Sequence, residues 1–137
     1  MVPSTYIAYF GLRENPFNVT ADPRFFYSNP ASQKVYANLL YGICARKGVV
    51  VLTGAVGVGK TILLRWVMSN LGETAHCVFF SNPNWTFDEL LSFTCEDLQL
   101  RVEGRTRRQK IQVLTAFLRA RLKEGRTIVL LIDEAQN

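Results

Sequence analysis

The sequence predicts a three-layer α/β domain with a parallel sheet, and three observations lead there. Short β-branched and aliphatic runs alternate with segments whose apolar positions recur at helical spacing. Those runs are continuous rather than alternating, the pattern of strands buried on both faces. A glycine-rich loop follows the first run and opens a helical segment.

Residues 1–30 are dense in aromatics and turn formers, among them Tyr6, Tyr9-Phe10-Gly11, Asn15-Pro16-Phe17, Asp22-Pro23 and Phe25-Phe26-Tyr27. Prolines at 3, 16, 23 and 30 forbid a long helix here. The aromatics are expected to anchor this irregular segment onto the domain that residues 31–137 supply. Over residues 31–43, Val35, Leu39, Leu40 and Ile43 recur at helical spacing. Gly48 then introduces Val49-Val50-Val51-Leu52, read as a strand buried on both faces.

Residues 60–70 read as a helix behind the glycine loop, 76–80 as a second strand, and Asn82-Pro83-Asn84 as a turn. Thr86 and Glu89 form a capping box for a helix reaching about residue 98. Thr106 and Gln109 form another, ahead of Ile111, Leu114, Leu118 and Leu122. Gly125 ends that helix, and residues 127–132 form a third buried strand.

Composition bounds the function classes. The 137 residues are 48% apolar and 20% charged, enough for a packed core in one domain or part of one. Cys44, Cys77 and Cys95 are scattered among apolar residues, with no C-x-x-C pair and no zinc spacing. They read as buried reduced thiols of a cytosolic protein. The amino terminus shows no signal-peptide pattern, and the apolar runs at 49–52 and 128–132 are too short to span a bilayer. A soluble chain is expected.

The net charge of +5 is unevenly placed, with Arg101, Arg105, Arg107, Arg108 and Lys110 in one stretch and Arg119, Arg121, Lys123 and Arg126 following. Such a region can attract nucleic acid or anionic lipid. It also fits a solvated helix face with cations at a helix C-terminus. No aromatics interleave the cluster to stack on bases, which favours the solvated face.

The loop Gly54-Ala55-Val56-Gly57-Val58-Gly59-Lys60-Thr61 matches G-x-x-x-x-G-K-[ST] between an expected strand and an expected helix. Chance matches in such a chain number on the order of one in a hundred. Glycines let the backbone wrap closely, so successive N–H groups and the helix N-terminus converge on phosphates. Lys60 is placed for the β- and γ-phosphates, Thr61 offers its hydroxyl to Mg²⁺, and Ile62 completes the binding segment. The ligand expected is Mg·ATP.

The run Ile128-Val129-Leu130-Leu131-Ile132 ends in Asp133-Glu134, two carboxylates at the carboxyl end of a strand, where ligands bind in open α/β sheets. Asp133 suits the Mg²⁺ shell through water. Glu134 is placed to orient the attacking water or take its proton. A plain polar turn is the competing reading of Asp-Glu, and the upstream loop favours the nucleotide site. Lys60 and Glu134 are thus the catalytic candidates. His76, Trp66 and Trp85 read as surface or packing residues, and Asn82 as a turn residue placed near a nucleotide.

Beyond the glycine loop, Tyr9-Phe10-Gly11-Leu12-Arg13-Glu14-Asn15-Pro16-Phe17, Asp22-Pro23-Arg24-Phe25-Phe26-Tyr27 and Leu39-Leu40-Tyr41-Gly42-Ile43 carry a more specific pattern. With Leu130-Leu131-Ile132-Asp133-Glu134-Ala135-Gln136-Asn137, the chain resembles the AAA+ ATPases of the general secretion pathway protein A (ExeA) type. The resemblance runs over essentially the whole chain. It implies a P-loop NTPase fold of AAA+ type and an ATP-driven, homo-oligomeric factor assembling the secretin of a type II secretion system. It further implies a cytoplasmic module anchored at the inner membrane, with membrane components of that system as partners. Related AAA+ ATPases act in transposition as DNA-binding regulators, which leaves a DNA-linked function as the alternative.

Two departures stand out. Ser32 occupies a position where many relatives carry histidine. The family pattern also continues past Asp-Glu with a sensor-bearing strand, an arginine finger and a helical lid. The sensor strand would lie between the strands at 49–52 and 127–132, whose edges are otherwise unpaired. An amino-terminal fragment ending after the Asp-Glu strand is therefore expected, and a further alternative is that it has no enzymatic activity, being either unfolded or a weak nucleotide binder.

Overall fold

The computed structural model describes residues 5–15, 22–81 and 84–135. The chain divides into two compact units, Met1–Ser69 and Asn70–Asn137. Helix α1 (Thr5–Tyr9) and a single 3₁₀ turn at Pro23–Phe25 are the only regular structure among the described residues before 30. Arg24 closes this segment on itself: its two terminal nitrogens reach the two oxygens of Glu14 at 3.1 Å each, and it also bonds Asp22. Asp22 in turn caps the 3₁₀ turn, accepting from the Arg24 amide at 2.9 Å.

Helix α2 (Pro30–Cys44) begins one residue before the apolar periodicity does. Asn29 is its N-cap and Pro30 its first residue, where a missing N–H costs nothing. Ser32 completes a reciprocal box: its amide donates to Asn29 Oδ1 at 2.8 Å while its Oγ accepts from the Asn29 amide at 2.9 Å. Ser32 thus has a structural task as part of the cap. Helix α3 (Lys60–Asn70) buries Leu63 and Val67. Its Trp66 stacks on Tyr36 of α2 at 3.9 Å between ring centroids and meets Phe26 at 5.0 Å.

Residues 49–52 correct the expectation of a buried strand. Among the described residues they pair with nothing, and Val49 and Val51 are 82% and 76% exposed. A β-branched run is only a candidate strand. Its backbone groups need a neighbouring ladder, and none of the described residues supplies one. Val50 is held instead against α2, where a Cβ on Gly42 would fall 2.5 Å from its Cγ2.

The second unit carries the sheet. Strands β1 (Ala75–Phe80) and β2 (Thr127–Ile132) pair in parallel, with Ala75 opposite Thr127 and Phe80 opposite Ile132. Helices α4 (Phe87–Asp97) and α5 (Arg107–Lys123) form the crossover between them, as a parallel pair requires. Val78, Phe80 and Leu98 centre the core, joined by Trp85, Phe93, Leu114, Phe117 and Ile128. Phe80, Trp85 and Phe93 contact one another with centroids 4.8–5.6 Å apart. Both capping boxes expected at Thr86 and Thr106 form. In β2 Leu131 is buried while Leu130 and Ile132 are half-exposed, so this strand is not buried on both faces as its composition predicted.

Candidate functional site

The glycine loop lies in the first unit. Gly57 and Gly59 take φ of 81° and 89°, a region L-residues rarely enter, so the two turns that shape the loop depend on them. The Leu63 amide donates to Gly59 O at 3.0 Å and closes the first turn of α3. Lys60 Nζ folds back over the loop and donates to the carbonyls of Gly54 and Ala55, both at 3.0 Å. An ammonium is therefore already held over the concave backbone, while Val56 at the tip is almost fully exposed. Thr61 and Ile62 follow in the first turn, each half-buried.

Such a loop fits a polyphosphate on chemical grounds. The N-terminal amides of a helix have no intrahelical acceptors, and the helix dipole favours an anion there. The lysine contacts are interchangeable with phosphate oxygens, which accept stronger, charge-assisted bonds than carbonyls do.

Asp133 and Glu134 lie in the second unit, at the carboxyl end of β2. The Asp133 amide donates to Phe80 O at 2.9 Å, extending the ladder one step beyond the strands. Asp133 is 8% exposed and its Oδ1 accepts from the Glu134 amide at 3.1 Å. Glu134 is exposed and has φ of 54°. Left-handed backbone at a non-glycine residue is uncommon, and such strain concentrates at functional sites. Among the described residues no group of three or more His, Cys, Asp or Glu forms a metal cage. A single buried carboxylate suits Mg²⁺ that arrives with phosphates, since this ion keeps its waters and takes one or two protein ligands.

The structure thus brings the residues at 54–62 together in one unit and Asp133 with Glu134 in the other. Asn82 lies outside the described residues. The basic cluster is partly committed: Arg107 Nε donates to Asp88 at 2.7 Å and Lys110 Nζ to Ser92 at 2.8 Å, while Arg101, Arg105 and Arg108 are exposed. His76 is exposed, as a surface histidine is expected to be, and its Nε2 sits 2.7 Å from Asp97 Oδ2. No local motif announces a pair 21 residues apart.

Comparison with known proteins decides the family. Residues 44–137 match the family described as AAA domain. The chain belongs to that family. AAA proteins are in general P-loop ATPases, and nucleotide binding follows from membership. The chain is also similar to General secretion pathway protein A of Aeromonas hydrophila, with 32% identity over 133 residues. That alignment takes in 96% of this chain and 24% of the relative, so the chain spans about a quarter of that protein's length. No solved structure matches the chain. Among the described residues, no helix of this AAA protein is long and apolar enough to cross a membrane.

Proposed function

We propose that this chain binds Mg·ATP at residues 54–62 and that the longer protein hydrolyses ATP to drive assembly of a secretion system. The observation that carries the reading is the loop itself, with Gly57 and Gly59 in left-handed turns and Lys60 Nζ held over two loop carbonyls. Loop amides and the α3 N-terminus receive the phosphates, and Lys60 exchanges its carbonyl acceptors for β- and γ-oxygens. Thr61 and Asp133 are the residues that would offer oxygens to Mg²⁺, whose charge would offset that of the phosphates. Glu134 orients the attacking water or takes its proton. Similarity to a secretion-pathway protein supports the pathway; the working form in this reading is a homo-oligomer at the cytoplasmic face of the inner membrane.

Thermal unfolding tests the binding. Saturating Mg·ATP, at about a hundred times Kd, adds about 2.7 kcal/mol of stability and raises the midpoint. Lys60→Ala abolishes the rise. A midpoint indifferent to Mg·ATP in the unaltered chain removes the proposal. In the longer protein, Glu134→Gln keeps binding and loses turnover; full turnover in that variant refutes the role of Glu134. The alternative, an ATP-dependent DNA-binding regulator, draws on exposed Arg101, Arg105 and Arg108. DNA affinity that falls with salt and rises with Mg·ATP would favour it.

A further inference from the structure

Helix α2 stops in a Schellman motif: the Lys47 amide donates to Gly42 O at 3.0 Å and the Arg46 amide to Ile43 O at 3.0 Å. The chain turns back there, with Arg46 at φ 50°, so that Val50 returns to Gly42. Gly42 is buried, and a Cβ on it would fall 2.5 Å from Val50 Cγ2 and 3.6 Å from Val50 Cβ. The first distance is about 1 Å short of ordinary van der Waals contact. Valine is stiff about χ1, so relief would come from a strained rotamer or from moving the backbone at residue 50.

Four residues further on, the nucleotide loop begins at Gly54. Its other end runs into α3, whose Trp66 stacks on Tyr36 of the same helix α2 at 3.9 Å between centroids. One helix thus carries both ends of the loop. The downstream contact is a broad aromatic face, and the upstream one is a single side chain on bare backbone. A shift at Val50 also reaches the lysine, since Lys60 Nζ has the Gly54 and Ala55 carbonyls as acceptors. Binding groups must be held to within about 0.5 Å of their working positions, less than the displacement a methyl at residue 42 demands.

We propose that Gly42 is a positioning residue of the nucleotide site: having no side chain, it seats Val50 against α2 and so fixes where Gly54 and Ala55 enter the loop. The inference rests on the reading of residues 54–62 as the Mg·ATP site. Gly42 has no contact with phosphate in it and acts through Val50.

Isothermal titration of the full chain with Mg·ATP compares Gly42→Ala, Val50→Ala and the double variant. Gly42→Ala is expected to weaken binding about tenfold or more. Alanine is the better helix former, so this loss does not come from a weakened α2. Val50→Ala loses the seat without a clash, so it should weaken binding about threefold and shift the amide resonances of residues 54–61. The double variant should bind as Val50→Ala does, because its two Cβ atoms would lie 3.6 Å apart, an ordinary contact. Thr86→Ala removes a helix cap in the other unit and should leave the affinity unchanged. Gly42→Ala binding like the unaltered chain, a double variant no tighter than Gly42→Ala, or an equal loss in Thr86→Ala would overturn the inference. Should Gly42→Ala not fold, Val50→Ala decides, and unchanged affinity with unmoved loop amides overturns it. Failure of the unaltered chain to bind Mg·ATP instead removes the nucleotide reading itself, and this inference with it.

Discussion

Glu134 combines a side chain expected to handle water with a backbone at φ 54°, and the two properties pull against each other. Left-handed backbone costs an L-residue about 1–2 kcal/mol, and glycine returns part of any gain through its unfolded-state entropy. Glu134→Gly is therefore expected to stabilise the chain by about 0.5–1 kcal/mol in denaturant unfolding, while the longer protein loses turnover. The cysteines differ in a way that residue-level chemistry can read. Cys44 is exposed, Cys77 half-buried and Cys95 fully buried. Burial pushes the thiols of Cys77 and Cys95 up, and only the thiolate attacks. A chromogenic disulfide should label Cys44 first and Cys95 last, with denaturant erasing the order. The expectation that all three thiols are buried is corrected at Cys44, since an apolar neighbourhood in sequence does not fix which side of a helix faces water.

Helices α4 and α5 each carry a capping box in the sequence, so their starts were legible. At α4 the box also sets a pH dependence. The Thr86 hydroxyl and then its amide donate to Glu89, holding that carboxyl below the usual glutamate range. A depressed carboxylate contributes stability above its unfolded pKa and loses it as pH falls through its folded value. Acid unfolding therefore weakens α4 as Glu89 protonates. Thr86→Ala should cost about 1 kcal/mol at neutral pH and cost less at low pH, where Glu89 no longer accepts. An equal cost at both would show that Glu89 is not part of the cap's energy. The start of α2 was less legible because Asn29-Pro30-Ala31-Ser32 lacks the Glu or Gln that marks the usual box. Serine closes the same pair of bonds with a shorter arm.

Across the whole molecule, order follows pairing. Amides of β1 and β2 that bond across the parallel ladder, with α4 and α5 as the crossover, should exchange slowest with solvent deuterium. Amides at 49–52 should exchange fast despite their apolar side chains, because no described ladder bonds them. Strong protection there would mean that the run pairs after all. The half-exposed Leu130 and Ile132 point the same way: composition marks a residue that profits from burial, and only a neighbouring layer provides it.

The glycine loop, the lysine and threonine that follow it, the two later helices with their caps and the Asp-Glu ending of β2 were determined by the sequence alone. Each depends on residues within a few positions of one another, where propensity, capping and φ requirements act directly. The tertiary structure decided which apolar runs pair, that Asp133 is buried, that Lys60 rests on the carbonyls of Gly54 and Ala55, and that His76 meets Asp97. Pairing and burial are set by what another part of the chain brings alongside. No window of local sequence contains that information.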